Sequence, residues 1–245
     1  WQWKEDVFPE CDQFNGIHEG LVQSWKDIFP KKGEIYFAGA LENNEDTGTL
    51  QYLASTAMEA GFSTRVLDMQ ALDLQNGRFF DPAGELVNRC FKLYPWEWMV
   101  DESPDGCLAE MEWLEPIWKL VMSNKAILAT LYELFPDSPY VLPCYLSRPR
   151  SGLFCKKPVF SREGHNVSVV DIRNWEEHVR IAETEGDYNT GAYVYQEYVE
   201  PTVYSGRYPV IGSWIIGGEA VGIGIRENRM EVTDNLSEFV PHIIG

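Results

Sequence analysis

The sequence is poor in cysteine, and the cysteines it has are not arranged for a metal or for a disulfide framework. Five Cys sit at 11, 90, 107, 144 and 155, an odd number with no CxxC pair. A zinc site and a stapled secreted scaffold are set aside, and reduced, mostly buried thiols in a cytoplasmic protein are expected. No apolar run reaches the ~18–20 residues that a membrane-spanning helix needs, and no signal peptide opens the chain. Positive charge is scarce: Lys+Arg is 20 against Asp+Glu 38, a formal −18. Nucleic-acid binders carry a basic face, so that role is set aside; the acidity speaks first to solubility and second to cationic ligands such as polyamines. An initiator Met is also missing. The opening Trp1-Gln2-Trp3-Lys4-Glu5-Asp6 reads as the inside of a helix, and a fragment or trimmed chain is expected.

What is present is ordinary for a globular protein: 245 residues, 44% hydrophobic and 24% charged, without internal repeats or long linkers. Residues 1–32 read as a helical lead-in with Ile17, Leu21, Trp25 and Ile28 at helical spacing. A buried strand is expected at 34–40, then a helix capped by Thr47 and ended by Gly61, then strands at 63–68 and 91–94. Strand, helix and strand at this spacing predict a small parallel α/β layer over 33–112. A helical zone at 113–135, interrupted near Ser123-Asn124, starts a second region that runs to 245. Beyond it, runs at 153–159 and 167–172 flank a polar hairpin tip at 160–166. A helix is expected at 174–185 with Trp175, Val179 and Ala182 inward, a strand at 192–199, and a hairpin around Gly217-Gly218.

The chemistry-bearing residues are weak signals one by one. The tip Ser161-Arg162-Glu163-Gly164-His165-Asn166, after Lys156-Lys157-Pro158, has the small and polar composition of a backbone nest that binds phosphate; most such turns are simply solvated. Lys125 reads first as a surface lysine. Gln196-Glu197-Tyr198 could offer backbone groups to a base edge. Arg226 follows Gly222-Ile223-Gly224-Ile225, whose alternating glycines suggest close backbone approach. His18, His165, His178 and His242 do not cluster in sequence and pair with no Cys or Ser nucleophile.

Several blocks together carry a resemblance. Lys157-Pro158 with Ser161-Arg162-Glu163-Gly164-His165-Asn166-Val167-Ser168 resembles the ATP-grasp part of the glutathionylspermidine synthase family, nearest its stand-alone bacterial branch. So do Tyr94-Pro95-Trp96-Glu97, Leu114-Glu115-Pro116-Ile117-Trp118-Lys119, Ser123-Asn124-Lys125, Ile211-Gly212-Ser213-Trp214-Ile215, Gly222-Ile223-Gly224-Ile225-Arg226-Glu227 and Phe239-Val240-Pro241-His242. The resemblance implies an α/β (α+β) ATP-grasp fold with a small preceding α/β domain, so that 113–245 would be the ATP-grasp module. It implies an ATP-dependent carboxylate–amine ligase, in which a peptide carboxylate such as that of glutathione is activated as an acyl phosphate and attacked by an amine such as a polyamine.

By position, Lys125 and Lys157 would contact ATP, and the backbone of Gln196, Glu197 and Tyr198 would hold its adenine edge. The loop of Ser161, Arg162, Glu163, Gly164 and Asn166 would close over the terminal phosphates, and Arg226 would steady the transferring phosphoryl group. Glu45, Asp46 and Glu238 fall where a cationic amine could bind, though each reads first as a surface carboxylate in an acidic chain. The family's Mg²⁺ ligands lie in an Arg-x-Asp segment and a Glu-x-Asn-Ala-Asp-Thr-Pro block upstream of this sequence, so no metal ligand is assigned. The alternative is a non-catalytic module that binds nucleotide or peptide. The 245-residue chain is expected to have weak or no ligase activity; steady ATP- and Mg²⁺-dependent phosphate release in a turnover assay would overturn that.

Overall fold

The computed structural model describes residues 2–181, 183–188, 191–233 and 237–245. Trp1 and Ala182, both placed on helices by the sequence reading, lie outside the described residues. Helix α1 (Gln2–Val7) precedes α2 (Ile17–Ile28). The described residues form two compact units. The first takes Gln13–Leu120 and Ser213–Ile223; the second takes Gln2–Asp12, Val121–Gly212 and Gly224–Gly245. No helix among them is long and apolar enough to cross a membrane.

In the first unit, β1 (Glu34–Gly39) is buried on both faces, which is why it reads as an unbroken apolar run. Ile35 and Phe37 pack with Val22 and Trp25 of α2 and with Leu50, Ala54 and Ala57 of α3 (Asn44–Glu59). Tyr36 and Ala38 turn the other way, into a cluster with Phe79, Val87, Cys90, Trp96 and Trp113. Successive strand residues face opposite sides, so one strand feeds two cores. β2 (Ser63–Asp68) pairs with β1 in parallel across α3. The strands β3 (Asp73–Gln75), β4 (Arg78–Phe80) and β5 (Leu86–Val87) form a small antiparallel sheet. β6 (Arg89–Leu93) then returns to the other side of β1, followed by helix α4 (Trp96–Glu102) and β7 (Glu112–Leu114). The expected parallel layer is present, in the order β2-β1-β6-β7.

The cap of α3 differs from expectation. Asn43 is the N-cap, its side chain accepting from the Glu45 N–H at 2.9 Å, while the Thr47 hydroxyl donates to the Leu41 carbonyl at 3.1 Å. Asx side chains at extended φ/ψ compete well for that position, and an Asn-Asn-Glu-Asp run hides which residue takes it. The region at 113–135 also departs from a continuous helical zone. It begins as β7, because Trp113 is drawn into the core between Phe79 and Trp96; only α5 (Leu120–Ser123) and α6 (Ala126–Leu134) are α-helical, broken at the expected place.

The second unit is built on an antiparallel sheet of β8 (Cys144–Tyr145), β9 (Gly152–Pro158), β10 (Ser168–Arg173), β11 (Glu176–Ile181) and β12 (Tyr193–Glu197), in the order β11-β10-β9-β12-β8. β11 corrects the helix expected at 174–185. Asn174 and Trp175 both take left-handed φ, 51° and 72°. They make a two-residue turn that registers Arg173 against Glu176. A primed turn suits hairpin twist, but it usually advertises itself with Gly. Trp175 and Val179 imitate a helical stripe, yet they are 54% and 66% exposed. A further sheet joins β13 (Tyr208–Ile216), β14 (Glu219–Asn228) and β15 (Glu238–Val240). The β13–β14 turn uses Gly217 and Gly218, at φ 61° and 92°. The close approach suggested by the alternating glycines occurs at Gly222, where a Cβ would sit 2.9 Å from Ile17 Cγ1.

One buried cation stands out in the first unit. Lys92 on β6 is 7% exposed; its Nζ donates to the Tyr94 carbonyl at 2.6 Å and lies 3.9 Å from the Trp96 ring centroid. Burial lowers its pKa to about 8, against the pull of Glu97, Cys90 and Glu115. In the unfolded chain the lysine keeps its proton to higher pH, so between these values the folded state binds fewer protons and stability rises with pH. Burial pushes the neighbouring Cys90 thiol up to about 12, which works in the opposite direction above roughly pH 9. From pH 7.5 to 9 the parent should therefore gain about 1 kcal/mol over Lys92→Met in urea titrations. An unchanged difference between the two proteins would mean that Lys92 titrates normally.

Candidate functional site

Two of the sequence-predicted cations, Lys125 and Lys157, lie in the second unit. The Asn124 side chain accepts from the Ala126 N–H at 2.9 Å and starts α6, while the Lys125 N–H donates to the Val159 carbonyl at 2.8 Å. These two bonds fix Lys125 beside the end of β9. Its Nζ donates to the carbonyl and, at 2.9 Å, to the hydroxyl of Ser161, the first residue of the polar tip.

Lys156 and Lys157 are adjacent on β9 and so project to opposite faces. Lys156 pairs with Glu177 at 3.0 Å, and Glu177 also accepts from the Tyr195 hydroxyl at 2.7 Å. Burial pushes the Glu177 carboxyl up, but these two hydrogen bonds outweigh it and hold it below the usual range. Lys157 instead donates to Gln196 Oε1 at 2.7 Å. It registers with Val194, which packs with Ala129 of α6. Registered neighbours share a face, so Lys157 and Lys125 serve the same side of the sheet. Cys144 and Cys155 both register with Gln196, and burial pushes both thiols up. They are packing groups rather than thiolates.

Past Gln196, two backbone donors are already engaged. The Glu197 N–H donates to the Pro143 carbonyl at 2.7 Å and the Tyr198 N–H to the Leu153 carbonyl at 3.0 Å. The Tyr198 hydroxyl donates to Glu231, and the Arg180 guanidinium lies 5.3 Å from the Tyr198 ring. Burial, then Glu231, raises the Tyr198 pKa. A ligand at this strand end would meet carbonyl oxygens and side chains before it met those two amides.

The tip itself is tightly turned. Glu163, Gly164 and Asn166 have φ of 55°, 73° and 53°, and the His165 N–H donates to the Arg162 carbonyl at 2.9 Å. Only glycine fits at 164: a Cβ there would lie 2.0 Å from the Thr233 carbonyl oxygen. Asn166 is buried. Its amide donates to Glu183 at 3.1 Å and its Oδ1 accepts from the Tyr188 N–H at 2.9 Å. The Asn166 side chain therefore holds the loop.

The remaining predicted residues are on other elements. Arg226 is on β14, its guanidinium 4.4 Å from the Phe239 ring of β15. Glu238 pairs with Arg207 at 3.3 Å. Glu45 and Asp46 are in the first turn of α3, just beyond the carboxyl end of β1. In a sheet of order β2-β1-β6-β7 the chain leaves β1 to one side and later returns to the other, which makes this end the expected ligand crevice. Asp68 stands at the same end of β2, accepting from the Leu41 and Gln70 N–H groups at 3.1 and 2.8 Å. Sequence reasoning missed Glu231, Glu183 and Thr184, whose contacts reach residues 17 to 33 positions away and leave no local pattern.

Comparison with known proteins places the chain. A family model described as glutathionylspermidine synthase preATP-grasp matches residues 1–245. A "Putative acid–amine ligase" of Haemophilus influenzae is 35% identical over 256 residues, covering 99% of this chain and 65% of that protein. Trypanothione synthetase of Crithidia fasciculata is 36% identical over 271 residues, covering 97% of this chain and 41% of its own. The bifunctional glutathionylspermidine synthetase/amidase of Escherichia coli is 26% identical over 277 residues, 99% of this chain and 44% of that protein. The chain thus spans between 41% and 65% of these relatives. Among solved structures, a "Putative gamma-glutamylcysteine synthetase" from Methylobacillus flagellatus superposes with a TM-score of 0.53 over 94% of this chain and 75% of its own; at 10% identity this speaks to fold alone.

Proposed function

The chain belongs to the glutathionylspermidine synthase preATP-grasp family, and from that premise we propose that it carries the nucleotide-binding part of an ATP-dependent carboxylate–amine ligase with an ATP-grasp site. The observation that supports this most is the pair of ammonium groups on one side of a sheet, Lys125 bound to the tip at Ser161 and Lys157 bound to Gln196. Two fixed cations beside a tightly turned loop suit a polyphosphate, because phosphoryl transfer depends on positioning and fixed charge more than on covalent help. The loop Ser161–Asn166 would present backbone N–H groups to the terminal phosphates, with Arg162, Glu163 and Gly164 forming its turn and Asn166 holding its shape.

In the proposed reaction a carboxylate oxygen of the peptide attacks the γ-phosphorus and ADP leaves. The amine then attacks the acyl carbon, the tetrahedral centre collapses, the C–N bond remains and phosphate departs with the carboxyl-derived oxygen. Arg226 would steady the transferring phosphoryl group. Base recognition would rest on the Gln196 side chain and carbonyl oxygens near Glu197 and Tyr198, since two amides there already have partners. For the amine, Glu45 and Asp46 stand in the first turn of α3 at the carboxyl end of β1, while Glu238 pairs with Arg207. Glutathione and a polyamine are the substrates this reading favours, in a cytoplasmic setting. Among the described residues no group of three or more His, Cys, Asp or Glu is disposed to hold a metal ion, so no step is assigned to Mg²⁺. A second reading, a module that binds nucleotide or peptide without turnover, draws on the chain's partial span of its relatives.

Calorimetric titration of ATP tests the site. Lys125→Ala and Lys157→Ala should each weaken binding at least about tenfold, the size of one lost charge-assisted contact. Lys156→Ala, on the opposite face, should leave the affinity within about twofold while lowering stability by about 1 kcal/mol through loss of its pair with Glu177. Absence of binding by the parent at millimolar ATP would overturn the reading.

A further inference from the structure

Three residues of the tip at left-handed φ, two of them not glycine, are a conformation that must be held from outside. What holds it is a segment that no motif marks, 183–188. The Thr184 hydroxyl donates to the Gly164 carbonyl and accepts from the Val167 N–H at 2.9 Å, and the Thr184 N–H returns a bond to the Val167 carbonyl at 2.9 Å. One side chain therefore grips the loop on both flanks of His165 and Asn166. The segment is extended: Thr184, Gly186 and Tyr188 are half-buried, while Glu183, Glu185 and Asp187 are exposed. Tyr188 closes the contact through its N–H on Asn166 and its ring 5.9 Å from that of His165. Gly186 allows the approach, since a Cβ there would lie 2.4 Å from His165 Cβ.

We propose that Thr184 is a positioning residue for nucleotide binding, acting through the 161–167 loop, with 183–188 as a strap that sets the loop's shape before the ligand arrives. The proposal rests on the nucleotide reading given above. The strap's three carboxylates argue against its touching phosphate directly; it works through the loop. A loop held in its binding shape loses less entropy on binding than one that must be ordered by the ligand.

Thr184→Val keeps the shape of the side chain and removes the hydroxyl; Thr184→Ser keeps the hydroxyl. Two readouts are needed: hydrogen exchange of the Val167 amide without ligand, and ATP affinity by calorimetry. The expected result is about tenfold faster exchange at Val167 and about tenfold weaker ATP binding in the valine variant, the loss of one net hydrogen bond, with both restored to within about twofold by serine. Faster exchange with unchanged affinity would overturn the positioning role and leave a local fold contact. Unchanged exchange in the valine variant would overturn the strap. If the parent and both variants all fail to bind ATP, the nucleotide reading itself falls and takes the positioning role with it; that case is told apart because the parent fails too.

Discussion

An ammonium that donates to a backbone or side-chain oxygen is held in one position, and the proposed site depends on that positioning. Lys125 donates to the carbonyl and hydroxyl of Ser161, and Lys157 to the amide oxygen of Gln196. Several other cations meet carboxylates: Lys156 with Glu177, Arg65 with Glu34 and Asp81, Arg78 with Glu110, Arg89 with Glu112, Arg173 with Asp171. In a chain of formal charge −18 the long-range field opposes an approaching polyanion. Affinity for one must come from short-range cations held in position, as Lys125 is at Ser161 and Lys157 at Gln196.

The strand period makes the distinction possible. Lys156 and Lys157 are identical in sequence terms, yet one serves a half-buried ion pair with Glu177 and the other faces α6 and Gln196. A slip of one residue in the register of β9 would exchange their roles and would also turn Phe154 out of its cluster with Val170, Ile172 and Tyr195. The apolar packing of one face thus fixes which lysine is offered on the other. Stability and the candidate chemistry are set by the same register.

How much of this was legible depended on the range of the interaction involved. β1, α3, β2 and the hairpin of β9 and β10 follow from periodicity and turn composition, both local properties. β11 was hidden because Asn174-Trp175 makes a primed turn without glycine, and because Trp175 and Val179 happen to stand four apart. β7 was hidden because Trp113 answers to Phe79 and Trp96, neither of them local. At the candidate site, Lys125, Lys157 and the tip were singled out through resemblance. The role of Asn166 was not, because its amide is occupied by Glu183 and Tyr188, 17 and 22 residues on. Sequence shows which residues could touch a ligand; only packing shows which of them are already engaged.

The two units, taken separately, offer opposite chemistry. In the second, cations held by neutral oxygens face a loop rich in backbone donors, an environment for anions. In the first, the carboxyl end of the parallel sheet carries Asp68, with Glu45 and Asp46 in the opening turn of α3. A helix N-terminus by itself favours anions. Here its own side chains already supply the negative charge, so the dipole is satisfied internally and a further anion would meet repulsion. An external group arriving at that end is better accommodated as a cation. The proposed reaction combines an anionic acyl phosphate with an amine that arrives as a cation, and each of the two environments suits one of them.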